Sequence, residues 1–212
     1  MTLPAVGAGW HIVGTGDFNH DGYADLIWEN SINNAHSIWL MKNGVRTSSV
    51  ALPAVGAGWH VAGAGDFNGD GYADLVWQNT TTGARCIWFM KDGVAIGSVN
   101  LPTAPVAWNI VGVGDFNHDG YADLILENST NNAHVIWFIK NGVVTSSMTV
   151  LPAVAAPWHI RGAADFNGDG YADFVWQNNT TGERTIWLMK NGVRIGSEAL
   201  PTVSTAWNIV EH

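Results

Sequence analysis

The sequence predicts an all-β fold, specifically a β-propeller in which each chain supplies four blades of four strands. Three observations predict it: a unit of about 49 residues occurs four times, each unit holds four short β-rich segments, and the middle segments are apolar on both faces. A sheet with two apolar faces must be covered on both sides, as a blade between neighbouring blades is. We expect a single domain over residues 1–212.

Each repeat unit opens on a tryptophan, and these tryptophans are evenly spaced along the chain. The predicted units are 10–58, 59–107, 108–157 and 158–206, followed by an extra strand at 207–210. Units one and three share the letters NHDG and NNAH, whereas units two and four share NGDG and TTG. The repeat is therefore a two-blade cassette that occurs twice.

Four segments of each unit are predicted as strands from their composition and the turn residues between them. In unit one they read WHIVG, ADLIWEN, HSIWLM and a weaker SSVALPAV, with a KNG hairpin signal before the last. No segment shows roughly ten residues of clean helical periodicity, so no helix is predicted. On the second strand Trp28 and Ile27 face opposite sides, and on the third Trp39 and Ile38 do the same.

An acidic loop joins the first two strands of every unit, and in unit one it is GDFNHDGYADL at residues 16–26. Side-chain oxygens occupy positions one, three, five and nine, glycine at position six permits a sharp turn, and tyrosine at position seven offers its backbone carbonyl. Ca²⁺ takes about six to eight oxygen ligands of this kind. The predicted ligands are Asp17, Asn19, Asp21, Tyr23, Asp25; Asp66, Asn68, Asp70, Tyr72, Asp74; Asp115, Asn117, Asp119, Tyr121, Asp123; and Asp165, Asn167, Asp169, Tyr171, Asp173.

Two other interpretations of these loops are weighed against calcium. An EF-hand would need a bidentate Glu where Trp28 stands, and helical flanks in place of strands. A metal-free turn is the second, because Asp, Asn and Gly favour turns in any case. Four copies of three crowded carboxylates favour the metal, since unneutralised carboxylates repel one another. We expect about four Ca²⁺ per chain, one per loop, and disfavour Mg²⁺ because it demands stricter octahedral geometry.

Composition excludes several classes of partner. The formal net charge is −9, and 12 of the 18 acidic residues lie in the four loops, so no basic nucleic-acid surface is expected. No apolar run is long enough for membrane insertion, and no segment resembles a signal peptide. Cys86 is the only cysteine, which excludes a disulfide framework, and we expect it to be a small core residue.

The stretches WHIVGTGDFNHDGYADLIWEN and GDFNGDGYADLVWQNTTTGARCIWFMKDGV resemble the bacterial FG-GAP and VCBS-type repeats, which are relatives of the integrin α-subunit propeller. The resemblance covers nearly the whole chain and rests on the D-x-N-x-D-G-x-x-D loop paired with an IWLM-type strand. It implies a calcium-stabilised propeller that binds glycans or cell-surface proteins at the surface of a bacterium or outside it. Family propellers usually have more blades than four, which is a departure here.

The two ends of the chain carry copies of one strand pair. Residues 3–13 read LPAVGAGWHIV and residues 200–210 read LPTVSTAWNIV. A ring has room for one copy at its seam. We therefore expect the chain to be either half of an eight-bladed ring completed by a second chain or a fragment of a longer propeller. The exposed last blade favours self-association, as a homodimer or another homo-oligomer.

Three functions are compatible with the sequence. The first is a binding module, the second a purely structural or oligomerisation repeat without a small-molecule ligand, and the third a propeller polysaccharide lyase or hydrolase. Catalysis needs an acid, base or nucleophile that breaks the repeat, and none has an evident partner, so we expect no enzyme, no catalytic residue and no zinc site. The recurring tryptophans, such as Trp10, Trp28 and Trp39, are expected to pack in the core rather than to stack on sugars.

Overall fold

The computed structural model describes residues 6–151, 154, 157–207 and 209, and for 146–150 the backbone alone. These residues form sixteen β-strands. Within those ranges no helix is long and apolar enough to cross a membrane. In chain order the strands are β1 (Trp10–Gly16), β2 (Asp25–Asn30), β3 (His36–Lys42), β4 (Val45–Ala51), β5 (Trp59–Gly65), β6 (Asp74–Asn79), β7 (Arg85–Lys91), β8 (Val94–Leu101), β9 (Trp108–Gly114), β10 (Asp123–Asn128), β11 (His134–Lys140), β12 (Val143–Val150), β13 (Trp158–Ala164), β14 (Asp173–Asn178), β15 (Arg184–Lys190) and β16 (Val193–Leu200).

Every four consecutive strands form one antiparallel sheet in chain order. The sheets β1–β4, β5–β8, β9–β12 and β13–β16 are called blades 1 to 4. Each blade begins at the tryptophan that opens the corresponding predicted unit. The predicted fold class, an all-β propeller with four four-stranded blades per chain, is confirmed.

The chain divides into two compact units. Unit one is Met1–Ala104 and contains blades 1 and 2, and unit two is Pro105–Glu211 and contains blades 3 and 4. From here on the word unit refers to these two, and the four sequence repeats are called blades. The single domain and the completed ring of eight blades both stay predictions. The extra strand at 207–210 also stays a prediction, because residues 208 and 210 lie outside the described residues. The described Trp207 and Ile209 are not in a strand.

A two-residue turn joins the third and fourth strands of each blade. In blade 1, Asn43 and Gly44 have φ angles of 51° and 76°, the left-handed pair that a type I′ hairpin requires. Because this turn matches strand twist, pairing resumes at once and Lys42 lies opposite Val45. The fourth strand therefore starts three residues earlier than the predicted SSVALPAV segment and ends at Ala51, before its last residues.

The core of each unit is shared by two blades. In unit one, Ile27 and Ile38 of blade 1 are fully buried and pack in one cluster with Leu75 and Trp77 of blade 2. Trp28 and Trp39 occupy the opposite face of blade 1. In unit two, blades 3 and 4 share an equivalent cluster. The prediction that the middle strands are covered on both faces is confirmed.

Blades of one unit approach each other closely at the base of the acidic loops. The backbone N–H of Ala73 in blade 2 donates to the carbonyl of Asp17 in blade 1 at 2.8 Å. A Cβ on Gly16 would lie 2.8 Å from the Cβ of Ala73, so only glycine permits this approach. Unit two repeats the arrangement, with Ala172 donating to Asp115 at 2.8 Å.

We expect Gly16→Ala to lower the free energy of unfolding by roughly 1–3 kcal/mol, because the added methyl overpacks the joint between blades 1 and 2. The measurement is urea denaturation followed by tryptophan fluorescence. Gly97→Ala is the matched control, since a Cβ there meets nothing closer than 3.6 Å. Equal stability of Gly16→Ala and wild type would contradict the close approach.

Candidate functional site

The four acidic loops lie between the first and second strands of their blades and share one hydrogen-bond pattern. In the first loop, the carboxylate of Asp17 accepts from the backbone N–H of Gly22 at 2.8 Å. Asn19 accepts from the N–H of Asp21 at 3.2 Å, and Asp21 accepts from the N–H of Tyr23 at 3.2 Å. Positions one, three and five thus fold the loop around themselves, as Asx turns do.

The position-nine aspartate is the buried anchor of each loop. Asp25 has no exposed surface, and its two oxygens accept from the N–H of Phe18 at 2.9 Å and of Met41 at 2.7 Å. Phe18 belongs to the loop and Met41 to β3, so one carboxylate fastens the loop to the third strand. Asp74, Asp123 and Asp173 make the same two bonds in their own blades.

The electrostatics of the anchors reflect their burial. Burial raises the pKa of Asp74 and of Asp123 to about 7, although the backbone N–H bonds oppose the increase. The pKa values of Asp25 and Asp173 are raised for the same reason. In each blade the aspartates at positions one and five push in the same direction, which places three carboxylates within mutual repulsion.

The donor chemistry of the loops suits a hard cation, since every predicted side-chain ligand is an oxygen and the buried anchor lies among like charges. The side chains do not converge as they stand. Among the described residues, no group of three or more His, Cys, Asp or Glu side chains is arranged to hold a metal ion. The twenty predicted ligands and the calcium itself therefore stay predictions.

The tyrosine at position seven of each loop is covered by a lysine from the end of the third strand. Lys42 Nζ lies 5.6 Å from the ring centre of Tyr23 and 3.9 Å from a carboxylate oxygen of Asp21. The same pair occurs in every blade, as Lys91 over Tyr72, Lys140 over Tyr121 and Lys190 over Tyr171. Cation–π contacts of this kind link the far side of the loop to the hairpin.

Position four explains why the loops alternate between NHDG and NGDG. The residue at this position has a positive φ, 55° at His20 and 78° at Gly69. Glycine adopts such a φ most easily, and it occupies this position in the loops of blades 2 and 4. His20 Nδ1 donates to the carbonyl of Gly71 in the next loop at 2.6 Å, and its ring lies 5.6 Å from that of Tyr72. His118 does the same toward Gly170 in unit two. These histidines tie the two loops of a cassette together.

A buried glutamate joins the two blades of each unit, and sequence reasoning missed it. Glu29 on β2 accepts from His36 Nε2 of its own blade at 3.1 Å and from His60 Nδ1 of blade 2 at 2.9 Å. In unit two Glu127 accepts from His134 at 2.9 Å and from His159 at 2.7 Å. The sequence did contain a signal for this joint. Blades 1 and 3 have Glu and His at the two positions where blades 2 and 4 have Gln and Arg.

The histidine contacts determine the charge state of that glutamate. Burial alone would raise the pKa of Glu29, but hydrogen bonds from His36 and His60 outweigh it and lower the pKa to about 2. The pKa of Glu127 is lowered in the same way. Both glutamates are therefore anionic acceptors over the whole neutral range.

Two tryptophan-lined pockets of about 230 Å³ each occupy equivalent places in blades 1 and 2. Each is formed by one tryptophan from each of the first three strands, together with the segment that precedes the blade. These are Trp10, Trp28 and Trp39 in blade 1, and Trp59, Trp77 and Trp88 in blade 2. We refer to them as the tryptophan pockets.

The expected core role of the tryptophans is confirmed for Trp28, Trp39 and Trp77, which are buried. Trp10 and Trp59 are only half-buried, so they keep part of their indole surface facing a pocket. Cys86 is buried as expected, and burial raises the pKa of its thiol to about 11. A thiol with that pKa stays protonated and behaves as a small apolar side chain.

We expect the glutamate joints to give stability that depends on pH. Because the folded pKa of Glu29 is about 2 and its ordinary value is 4.5, the stabilisation is complete above about pH 4.5 and is lost as the pH falls through about 2. The double variant Glu29→Gln/Glu127→Gln should be less stable than wild type by on the order of 2 kcal/mol at pH 6, with a difference that narrows toward pH 2.

The measurement is urea denaturation between pH 2 and 6. Glu183→Gln is the control, since Glu183 is exposed and should leave the pH profile unchanged. A stability difference that is constant across the range would show that the histidine–glutamate bonds do not control the ionisation of the two carboxyls.

The family model for the FG-GAP-like repeat matches the chain at residues 17–77, 66–126 and 115–176. Each match runs from one acidic loop through the next, so the matched pattern spans the joints as well as the blades. No curated protein matches the chain. Because the matched residues cover well over half of the 212-residue chain, the protein belongs to the FG-GAP-like repeat family.

Proposed function

We propose that this chain is a calcium-stabilised propeller module that binds glycans through its tryptophan pockets. The observation that supports it best is the recurrence of one pocket at equivalent places in blades 1 and 2. FG-GAP-like repeat propellers are typically interaction modules, which agrees with a binding role. Glycan recognition and calcium binding are the parts of the proposal that go beyond a general binding role.

The pocket chemistry suits a sugar. Indole faces offer large apolar area to the C–H face of a pyranose, and half-buried Trp10 and Trp59 keep such area available. At about 230 Å³ each pocket is smaller than the usual drug-sized cavity, which favours a single sugar residue. Equal pockets on successive blades let a branched or repeating glycan bind at two points and gain avidity.

The loop carboxylates support the calcium part. Each loop has three of them. Burial raises the pKa of the anchor, and the like charges at positions one and five raise it further. In the proposal, Ca²⁺ is held by the oxygens at positions one, three, five and nine and by the tyrosine carbonyl of each loop. When bound, it would supply positive charge where the blade concentrates its negative charge.

The proposal is of a binding role and not a catalytic one. All four blades carry the same Asp, Asn, Asp and Asp at loop positions one, three, five and nine, whereas catalysis uses an acid, base or nucleophile placed asymmetrically. We also propose an extracellular or cell-surface location, because loops with few ligands bind calcium weakly and need the high concentrations found outside cells.

Calcium should raise the melting temperature of the protein. A ligand that binds only the folded state at about 100 times its Kd adds roughly 2.7 kcal/mol of stability. Differential scanning calorimetry in millimolar CaCl₂ and in EDTA measures the difference. Asp21→Asn/Asp119→Asn should reduce the calcium shift, since it removes the position-five charge from two loops and keeps a side chain that can cap the turn.

Substituting Mg²⁺ for Ca²⁺ is the control, and it should give a much smaller increase in melting temperature. Identical melting curves in calcium and EDTA would remove the metal from the proposal and leave the Asx-turn interpretation of the loops.

Trp10→Ala/Trp59→Ala should weaken glycan binding at least tenfold, because each substitution removes the accessible indole face of one pocket. The measurement is a glycan array followed by calorimetric titration of the best sugar. Trp207→Ala is the matched control, because Trp207 is 70% exposed and lines neither pocket.

Two results would contradict the glycan part of the proposal. Wild-type protein that binds no glycan on a broad array would favour the purely structural repeat. Binding that survives loss of both tryptophans would place the ligand elsewhere.

A further inference from the structure

The side chain of Gln177, near the end of β14, holds the backbone of a separate segment. Its Nε2 donates to the carbonyl of Trp207 at 3.1 Å, and its Oε1 accepts from the N–H of Ile209 at 2.9 Å. Arg184 Nη2 donates to the same Trp207 carbonyl at 2.8 Å. One amide therefore pairs with a C=O and an N–H two residues apart, as a neighbouring backbone would.

Gln177 occupies the strand position from which a glutamate joins neighbouring blades elsewhere in the molecule. Glu29 and Glu127 occupy the same position on β2 and β10. They hold His60 and His159, which are the second residues of β5 and β13, the first strands of the following blades. Trp207 and Ile209 therefore lie where the first strand of a following blade is held.

This segment fills the position only in part. Trp207 is 70% exposed, whereas the opening tryptophans Trp59 and Trp158 of blades 2 and 4 are half-buried. A cavity of about 360 Å³ lies beside it, lined by Arg184, Val203, Ser204, Trp207 and Ile209. Neither Trp207 nor Ile209 belongs to a strand, so the Gln177 position holds a segment without the support of a sheet.

We propose that the Gln177 side of blade 4 is a docking surface for a second copy of this chain, and that the incoming element is β1 of that copy. Its residues Trp10-His11-Ile12-Val13 repeat the pattern of Trp-Asn-Ile-Val at 207–210. Gln177 binds backbone groups of the first and third residues of this pattern, so these hydrogen bonds do not involve the second residue, His in one copy of the pattern and Asn in the other. The docked strand brings its own sheet with it, whereas Trp207 and Ile209 belong to no strand.

The proposal gives a physical form to the self-association expected from the sequence. Docking of two copies in both directions joins blade 4 of each to blade 1 of the other, as the glutamates join the blades within each unit. The interface does not depend on calcium. Gln177 lines neither tryptophan pocket, so its substitution tests the docking separately from the proposed function, although Trp10 belongs both to β1 and to the blade 1 pocket.

The test is sedimentation of the full chain by analytical ultracentrifugation over a range of concentrations. Wild type should show a species of twice the 22.8 kDa chain mass. Gln177→Leu should raise the dimer dissociation constant at least tenfold, since a leucine side chain neither donates to the strand carbonyl nor accepts from the strand N–H. That variant is expected to fold, because leucine and glutamine are close in volume. Glu183→Ala, an exposed change beside β15, is the control and should leave the dimer unchanged.

Trp207→Ala distinguishes the incoming strand from the resident segment. It removes a side chain that is 70% exposed and keeps the backbone carbonyl that Gln177 and Arg184 bind, so the dimer should persist. The proposal is overturned by any of three results: a monomer at all concentrations, a dimer unaffected by Gln177→Leu, or a dimer lost in Trp207→Ala, which would make the Trp207 side chain itself part of the bridge.

Discussion

The structure depends on one fully buried carboxylate in each blade. Asp25 and its equivalents have no exposed surface, yet each is satisfied by two backbone N–H groups, one from its own loop and one from the third strand. Removing the acceptor would leave two buried donors without a partner. The anchor therefore fixes the loop, and the loop fixes where the next blade can approach.

The joints between blades follow from that placement. Because the loop is held rigidly, Gly16 meets Ala73 and His20 reaches the carbonyl of Gly71 in the neighbouring loop. At the other end of the same strands, Glu29 accepts from a histidine of each blade. The cassette of two blades is thus a structural unit because its alternating residues are partners across one joint.

The sequence predictions were most accurate where they rested on local patterns. Turn residues, strand composition and the period between tryptophans were enough for the four blades and for the position of every acidic loop. The start of β4 was missed because pairing resumes directly after the Asn43-Gly44 turn. The glutamate joint was missed for a different reason: Glu29 and His60 are 31 residues apart and meet only when one blade packs on the next. The alternation of residues was visible in the sequence, but its cause lies in tertiary contact.

We propose that four equivalent loops, each fastened by a buried aspartate, form four equivalent cation sites. Native mass spectrometry in a calcium-containing volatile buffer is the sharpest test, because it counts bound ions on each chain. We expect a main species with about four Ca²⁺ per chain and no fifth ion of comparable occupancy. A protein that retains its folded charge-state distribution and carries no calcium would contradict it.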